Sequence, residues 1–247
     1  MLIELVKKDI KLKYRNSVLG ILWTLLEPLL TMIVLTVVFT TLFERSIEHF
    51  PVYVLIGRLM YGYFSSGTRS ALKAVRHNSA MIRKVYVPKY IYPLASSLSS
   101  FVIFLISLIV LVGVAAVQKI QPTIYMFGLF VPLVALFLMT TGVGLILTTL
   151  DVFFRDTEYL WGVLLMIIMY VSAIFYPADR LLQSGDWKQW LIKLNPLYAV
   201  IANFRNAVFG RPLESFFVWY SLGFGVVSLL LGIVVFYRKQ DKFILHI

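Results

Sequence analysis

Residues 90–117 read YIYPLASSLSSFVIFLISLIVLVGVAAV, a run without one charged side chain. An α-helix rises about 1.5 Å per residue, so about 20 mostly apolar residues cross the roughly 30 Å hydrocarbon layer of a bilayer. This stretch is long enough to cross with residues to spare. It predicts a membrane-spanning helix, and with it an all-α integral membrane protein.

Five further stretches qualify on either side: residues 19–43, 52–68, 123–150, 159–175 and 216–237. The expectation is six transmembrane helices in a single transmembrane domain covering residues 1–247. Residues 197–208 are apolar but too short to cross, and read as a buried or re-entrant helix. Composition agrees. Apolar types make up 60% and charged types 14% of the 247 residues, against about 45–50% and about 25% in soluble domains. A water-soluble fold of this length has too little interior to hide that many apolar side chains. Aromatics at 15% exclude a disordered chain.

The chain carries 23 Lys and Arg against 12 Asp and Glu, a net charge of +11. In a soluble domain this would suggest nucleic acid. Here the cations fall by loop. Lys7, Lys8, Lys11, Lys13 and Arg15 precede the first span. Arg69, Lys73, Arg76, Arg83, Lys84 and Lys89 lie between the second and third, Arg155 lies between the fourth and fifth, and Arg238, Lys239 and Lys242 follow the sixth. These share one side. The opposite side holds Arg45, Lys119, Arg180, Lys188, Lys193, Arg205 and Arg211, most of them in one long segment. The positive-inside rule then makes both termini cytoplasmic, and the spread over separate loops leaves no nucleic-acid surface.

Three segments outside the spans have their own patterns. In residues 1–16, helical periodicity puts Leu2, Ile3, Val6, Ile10 and Tyr14 on one face and Glu4, Lys7, Lys8, Lys11 and Arg15 opposite. That predicts an amphipathic helix lying in the membrane interface, in contact with lipid. Residues 69–89 form a long basic loop in which 70–84 reads as a helix, before Pro88 and Pro93 punctuate it; it serves either as a docking surface or as a basic loop on anionic lipid. Residues 176–212 are aromatic and apolar yet lie outside. A short helix is expected around Trp187 and Trp190, capped by Ser184 or Asp186. A second starts at Asn195-Pro196 with proline in its first turn and stops at Gly210-Arg211-Pro212. Two short helices here would form an outer gate.

Catalytic patterns are sparse. No G-x-x-x-x-G-K-[ST] occurs, and Gly142 with Gly144 inside the fourth span is a helix-packing feature. His49, His77 and His246 are too far apart to form a metal cluster. Asp151, Asp156 and Glu158 surround Arg155, which favours local ion pairing over an acidic metal motif. A transport subunit fits best, with its energy supplied from elsewhere if transport is active.

Specific strings sharpen this. Tyr14-Arg15-Asn16-Ser17-Val18-Leu19-Gly20-Ile21-Leu22-Trp23, closing with Glu27-Pro28-Leu29-Leu30, resembles the opening of the ABC-2 type polysaccharide export permeases. Asn78 to Pro88 is similar to that family's stretch before span three, and Arg155-Asp156 to its pair before span five. Phe175-Tyr176-Pro177, Leu194-Asn195-Pro196-Leu197 and Arg205 resemble its outer segment, with the O-antigen branch nearest. The resemblance implies a homodimer paired with two copies of a nucleotide-binding ATPase, which binds the ATP and Mg²⁺; this chain would need no cofactor of its own. It implies export of a lipid-linked glycan across a bacterial inner membrane. The helix with Lys7, Lys8, Lys11 and Arg15 would lie at the interface. The coupling helix, with Lys73, Arg76, Asn78, Arg83 and Lys84, would enter the ATPase. Tyr176, Pro177, Trp187, Trp190, Asn195, Pro196 and Arg205 would belong to the outer gate.

Arg58 departs from the pattern, standing where the family carries an apolar residue after Leu55-Ile56-Gly57. An intramembrane charge marks either a channel role or a side chain snorkelling to the outer interface. Depth arithmetic pairs the other intramembrane charge, Glu27, with Arg69 rather than with the shallower Arg58. Pro28 should kink the first span. Sugar rings stack on aromatic faces, so Trp23, Tyr53, Tyr61, Tyr63, Phe64 and Tyr170 are candidates for the channel surface, against the alternative of lipid-facing belts. The reading is a permease for O-antigen, with teichoic acid or capsule as alternative cargo. A small-molecule or lipid ABC-2 permease and a membrane glycan transferase rank lower.

Overall fold

A computed structural model describes residues 1–42, 48–84, 87–178 and 188–245, and among these the regular structure is helical throughout. In chain order the α-helices are α1 (Leu2–Tyr14), α2 (Trp23–Leu42), α3 (Phe50–His77), α4 (Ser79–Lys84), α5 (Ile91–Val117), α6 (Phe130–Phe153), α7 (Thr157–Val171), α8 (Lys188–Lys193), α9 (Pro196–Val208) and α10 (Ser215–Lys239). Short 3₁₀ turns precede α2 and α6 and follow α10.

Four helical segments are long and apolar enough to cross a bilayer: Gly20–Phe39, Ile91–Val117, Ile124–Phe153 and Ser215–Phe243. They carry four of the six expected spans, and their outward faces are apolar. The other two expected spans depart from the expectation in instructive ways.

The second expected span is α3. It runs for 28 residues, nine beyond the predicted end. It is the hub of the bundle, packed on α5 and α6 and touched by α2, α7 and α9. Protein covers most of it, and its polar residues fall where that cover is incomplete: Arg58 and Ser65 are half-buried, and Ser66 and Arg69 are exposed. Its inner residues Leu55, Ile56, Met60, Tyr63 and Leu72 form the main core with Leu136, Met139 and Leu165. The separate helix expected over 70–84 is therefore not observed as such. Residues to His77 belong to α3, the chain turns at Asn78, and only six residues form α4.

The fifth expected span is α7. At 15 residues it is about 22 Å long, short of a full crossing. It stops at Val171 rather than residue 175, and Ala173 takes a left-handed conformation (φ 47°). Side chains satisfy the carbonyls this break exposes.

Helices α6 and α10 pack most closely. A β-carbon on Gly142 would stand 2.4 Å from the α10 backbone at Leu229 and Ser228, while one on Gly144 would meet Ala71 of α3 at 2.8 Å. Two positions apart on a helix face nearly opposite ways, so this pair lets α6 approach a neighbour on each side, as the G-x-G spacing suggested. Beside Gly144, Thr148 donates to the Ala71 carbonyl at 2.7 Å.

Helix α1 forms as expected, but it docks on protein. Leu5 is buried among Ala74, Val75, Ile82 and Tyr92, with Leu2 and Val6 beside it. Ile3, placed on the apolar face by periodicity, is 68% exposed. The buried stripe centres on Leu2, Leu5, Val6 and Asp9, where Asp9 accepts from Ser96 of α5 at 3.2 Å.

Candidate functional site

At the end of the bundle where α1 lies, polar side chains link elements far apart in sequence. Asn78, at the turn between α3 and α4, donates to the Ala74 carbonyl (2.8 Å) and accepts from Lys8 Nζ of α1 (2.9 Å). The turn also leaves Arg83 and Lys84 exposed on α4 while Ile82 packs inward. Lys89, on the loop that follows, donates to the Gln240 carbonyl after α10 (2.7 Å). α4 is thus presented on a tied framework.

Lys73 and Arg76, expected to face a partner, turn inward. Lys73 pairs with Glu158 in the first turn of α7, and Arg76 bonds the same carboxylate at 2.6 Å. Arg76 Nη1 also lies 3.6 Å from Oδ1 of Asp151, whose side chain is wholly buried and whose oxygens accept no hydrogen bond. The expected local pairing of Asp151 and Glu158 with Arg155 is corrected here. Their cations come from α3, because α3 continues past the expected membrane boundary and brings Lys73 and Arg76 level with the α6–α7 corner. Arg155 is exposed.

Glu27 and Arg69 form no ion pair. Glu27 lines a cavity of about 150 Å³ between α2, α3 and α5 together with Arg58, Lys13 and Tyr14. Arg69 lines another of about 280 Å³ with Lys73, Glu158 and Trp161. Arg58, set aside on depth as too shallow, lines the same cavity as Glu27, whereas Arg69 lines a different one. Pro28 lies inside α2 and, lacking an N–H, leaves the Thr24 carbonyl free. Ser107 of α5 donates to that carbonyl at 3.1 Å, and Thr24 Oγ1 donates to Tyr14 at 2.9 Å. The helix irregularity expected at Pro28 is therefore a joint between α1, α2 and α5.

Three of the expected channel aromatics are core instead. Tyr63 is 2% exposed and stacks on Phe104, with ring centroids 5.1 Å apart. Phe64 meets Trp161 edge-on, and Tyr61 is buried and donates to the Leu165 carbonyl at 3.0 Å. Because α3 is central, its aromatics pack between helices. Trp23 and Tyr170 are exposed.

At the opposite end the break after α7 is held by three side chains. Arg205 of α9 is buried and donates to the carbonyls of Ala173 (3.1 Å), Ile174 (3.2 Å) and Tyr53 (3.1 Å), its guanidinium 3.4 Å from the Tyr53 ring centroid. Tyr53 donates to the Tyr176 carbonyl at 3.0 Å, and Tyr176 to that of Tyr170 at 2.6 Å. Asn195 caps α9 as expected, accepting from Leu197 N at 3.0 Å, with Pro196 next to it, and donates to Ser172 Oγ at 2.9 Å. All but two of the thirteen α9 residues are buried. Gly210 (φ 70°) ends the helix, and Arg211 N returns to the Asn206 carbonyl at 2.7 Å. Arg205 and Tyr53, assigned from sequence to a gate and to a channel wall, thus form one unit. Pro177 follows in the same break. Trp190 on α8 is exposed, with Lys193 Nζ 5.7 Å from its ring centroid. Trp187 and the expected caps Ser184 and Asp186 lie outside the described residues.

A bundle of long apolar helices with an exposed basic helix at one end and a capped helix break at the other defines a multi-pass membrane permease. The profile of the ABC-2 type transporters matches residues 2–209, and the chain belongs to that family. It is similar over 98% of its length to the O-antigen export system permease protein RfbA of Klebsiella pneumoniae, at 26% identity and covering 93% of that chain. The protein of the same name from Myxococcus xanthus is 28% identical over 98% of this chain and 94% of its own. The polysialic acid transport protein KpsM of Escherichia coli is 25% identical over 95% and 91%.

Proposed function

We propose that the chain is the channel-forming subunit of an ATP-driven exporter that carries a lipid-linked polysaccharide, O-antigen in the first instance, across the bacterial inner membrane. The observation that carries this is likeness along nearly the whole chain, at similar length, to permeases named for O-antigen export. The relative named for polysialic acid transport favours a capsule polymer as the second reading.

In this reading α2, α3, α5, α6, α7 with its following break, and α10 make six crossings. The α1 end is cytoplasmic, as the distribution of cations suggests. Two copies of the chain form the channel, with two ATPase subunits that bind ATP and Mg²⁺. Arg83 and Lys84 on α4 meet the ATPase, while Asn78 ties the turn before α4 to α1 and Lys73 and Arg76 tie α3 to α7. Lys7, Lys11 and Arg15 face anionic lipid at the cytoplasmic interface while Lys8 holds Asn78, and the Arg205-capped break with α8 and α9 closes the outer end. Arg58 faces the cavity it shares with Glu27, and Trp23 and Tyr170 offer exposed rings to the glycan.

The test is co-purification with the ATPase of the same exporter in nanodiscs. ATP hydrolysis should rise on addition of the lipid-linked glycan. Charge reversal at Lys84 to Glu should reduce the rise and weaken co-purification without altering the thermal melt of the isolated permease. A permease that never associates with the ATPase would remove the proposal.

A further inference from the structure

We propose that a polar cleft at the end opposite α1 is a binding site for a sugar unit of the exported glycan; this rests on the export reading above. The cleft encloses about 570 Å³ between the start of α3, the loop after α5, the second half of α9 and the segment leading into α10. That volume is typical of small-molecule sites, which run about 300–1,000 Å³.

Its walls are fixed, and five of its polar side chains have no partner among the described residues. His49 and Lys119 take left-handed backbone conformations (φ 52° and 57°), and Gly210 a third (φ 70°). His49 is hydrogen-bonded to the Gln118 side chain at 3.3 Å. Glu214 N donates to Asn203 Oδ1 at 2.9 Å, and Arg211 N to the Asn206 carbonyl at 2.7 Å. The backbone that carries the lining is therefore set before any ligand arrives, which lowers the ordering cost of binding. By contrast, the side chains of Lys119, Gln121, Asn206, Arg211 and Glu214 line the cleft and make no hydrogen bond or ion pair among the described residues. The rings of His49 and Phe209 lie nearly parallel in the same wall, 17° apart with centroids at 6.4 Å.

The chemistry of this lining selects the ligand class. Beside Glu48, His49 and Arg205, which have partners within the protein, two cations, one carboxylate and two amides present donors and acceptors of both kinds. A simple anion or cation would call for one sign, and an apolar molecule would displace the water on these groups without replacing its hydrogen bonds. Sugar hydroxyls both donate and accept, and the C–H face of a sugar ring packs against an aromatic surface. Lys119 and Arg211, both in the lining, supply the positive charge that an acidic sugar would favour.

The test uses the full chain in nanodiscs with two free probes, a neutral hexose tetramer and an acidic uronic acid tetramer. Saturation-transfer NMR should show transfer to sugar ring protons of at least one probe. Transfer should fall at least about fivefold in the double variant Asn206→Ala, Arg211→Ala, and Gln121→Ala should weaken it independently. In cells the double variant should slow export at unchanged protein level. No transfer with either probe, transfer unaltered in both variants, or unchanged export with binding lost would each overturn the site. A chain that stimulates its ATPase and exports but shows no transfer loses this site and keeps the export reading. A chain that binds the tetramers through Asn206 and never couples to an ATPase fails as an exporter.

Discussion

Gly57 of α3 faces Arg205 of α9 so closely that a β-carbon at position 57 would stand 2.9 Å from a guanidinium nitrogen and 2.9 Å from the Ile174 side chain. The missing side chain is the space the guanidinium occupies. Gly57→Ala should therefore push Arg205 off the carbonyls of Ala173 and Ile174. Each buried carbonyl left unpaired costs about 1–3 kcal/mol. Thermal melts in detergent should drop for Gly57→Ala and for Arg205→Lys, whose single ammonium lacks the guanidinium fork. Wild-type melting of Arg205→Lys would show that the fork is not needed.

Arg76 is the cation nearest the buried Asp151 carboxylate. Removing one partner of a fully buried charge pair costs about 3–5 kcal/mol because the other charge is stranded; Arg76 is about a third exposed, so the loss here falls below that. Arg76→Met should be destabilising, and Asp151→Asn added to it should recover most of the loss. Equal melts for the single and double variants would mean that Asp151 does not feel Arg76.

Pro28 and Ser107 should be thermodynamically coupled. Ser107→Ala removes the donor to the Thr24 carbonyl, worth about 0.5–1.5 kcal/mol. In a Pro28→Ala background the helix regains its own N–H four residues on, and Ser107→Ala should cost much less. A double-mutant cycle measures this directly, and additive effects would contradict it.

Asp9 gives the docking of α1 a pH dependence. Burial pushes its carboxyl above the ordinary 3.8, against the opposing pull of the Ser96 hydrogen bond and Lys8. The folded state thus holds the proton more tightly than the unfolded chain. Stability falls as pH rises from 3.8 through the raised value, and is level above it. Asp9→Asn should flatten that slope and raise the melting temperature at neutral pH. Melts recorded across the acid range check both outcomes.

The elements that sequence made legible are those whose surroundings are uniform. Helices α5, α6 and α10 are long and turn apolar faces outward, so length and apolarity mark them. Asn195, Pro196 and Gly210 announce α9 through local backbone chemistry, which needs no knowledge of neighbours. What was not legible depends on who the neighbours are. Tyr61, Tyr63 and Phe64 looked like a substrate surface because nothing in their spacing says that α3 is enclosed by five other helices. Glu158 seemed to belong to Arg155, three residues away, whereas its cations arrive from α3. Arg205 could be assigned to an outer segment by resemblance. Its role in closing the carbonyls after α7 required the left-handed Ala173, which leaves no mark in the sequence.

The unbroken course of α3 has a mechanical consequence. Its only proline, Pro51, sits in the first turn, and about 42 Å of helix runs without interruption through Gly57, Gly62 and Ser65-Ser66-Gly67. One end carries Asn78 and the turn into α4, and the other carries Tyr53 beneath Arg205. One continuous helix thus joins the turn into α4 to the carbonyl that Arg205 holds, so the two ends of the molecule share a single structural member.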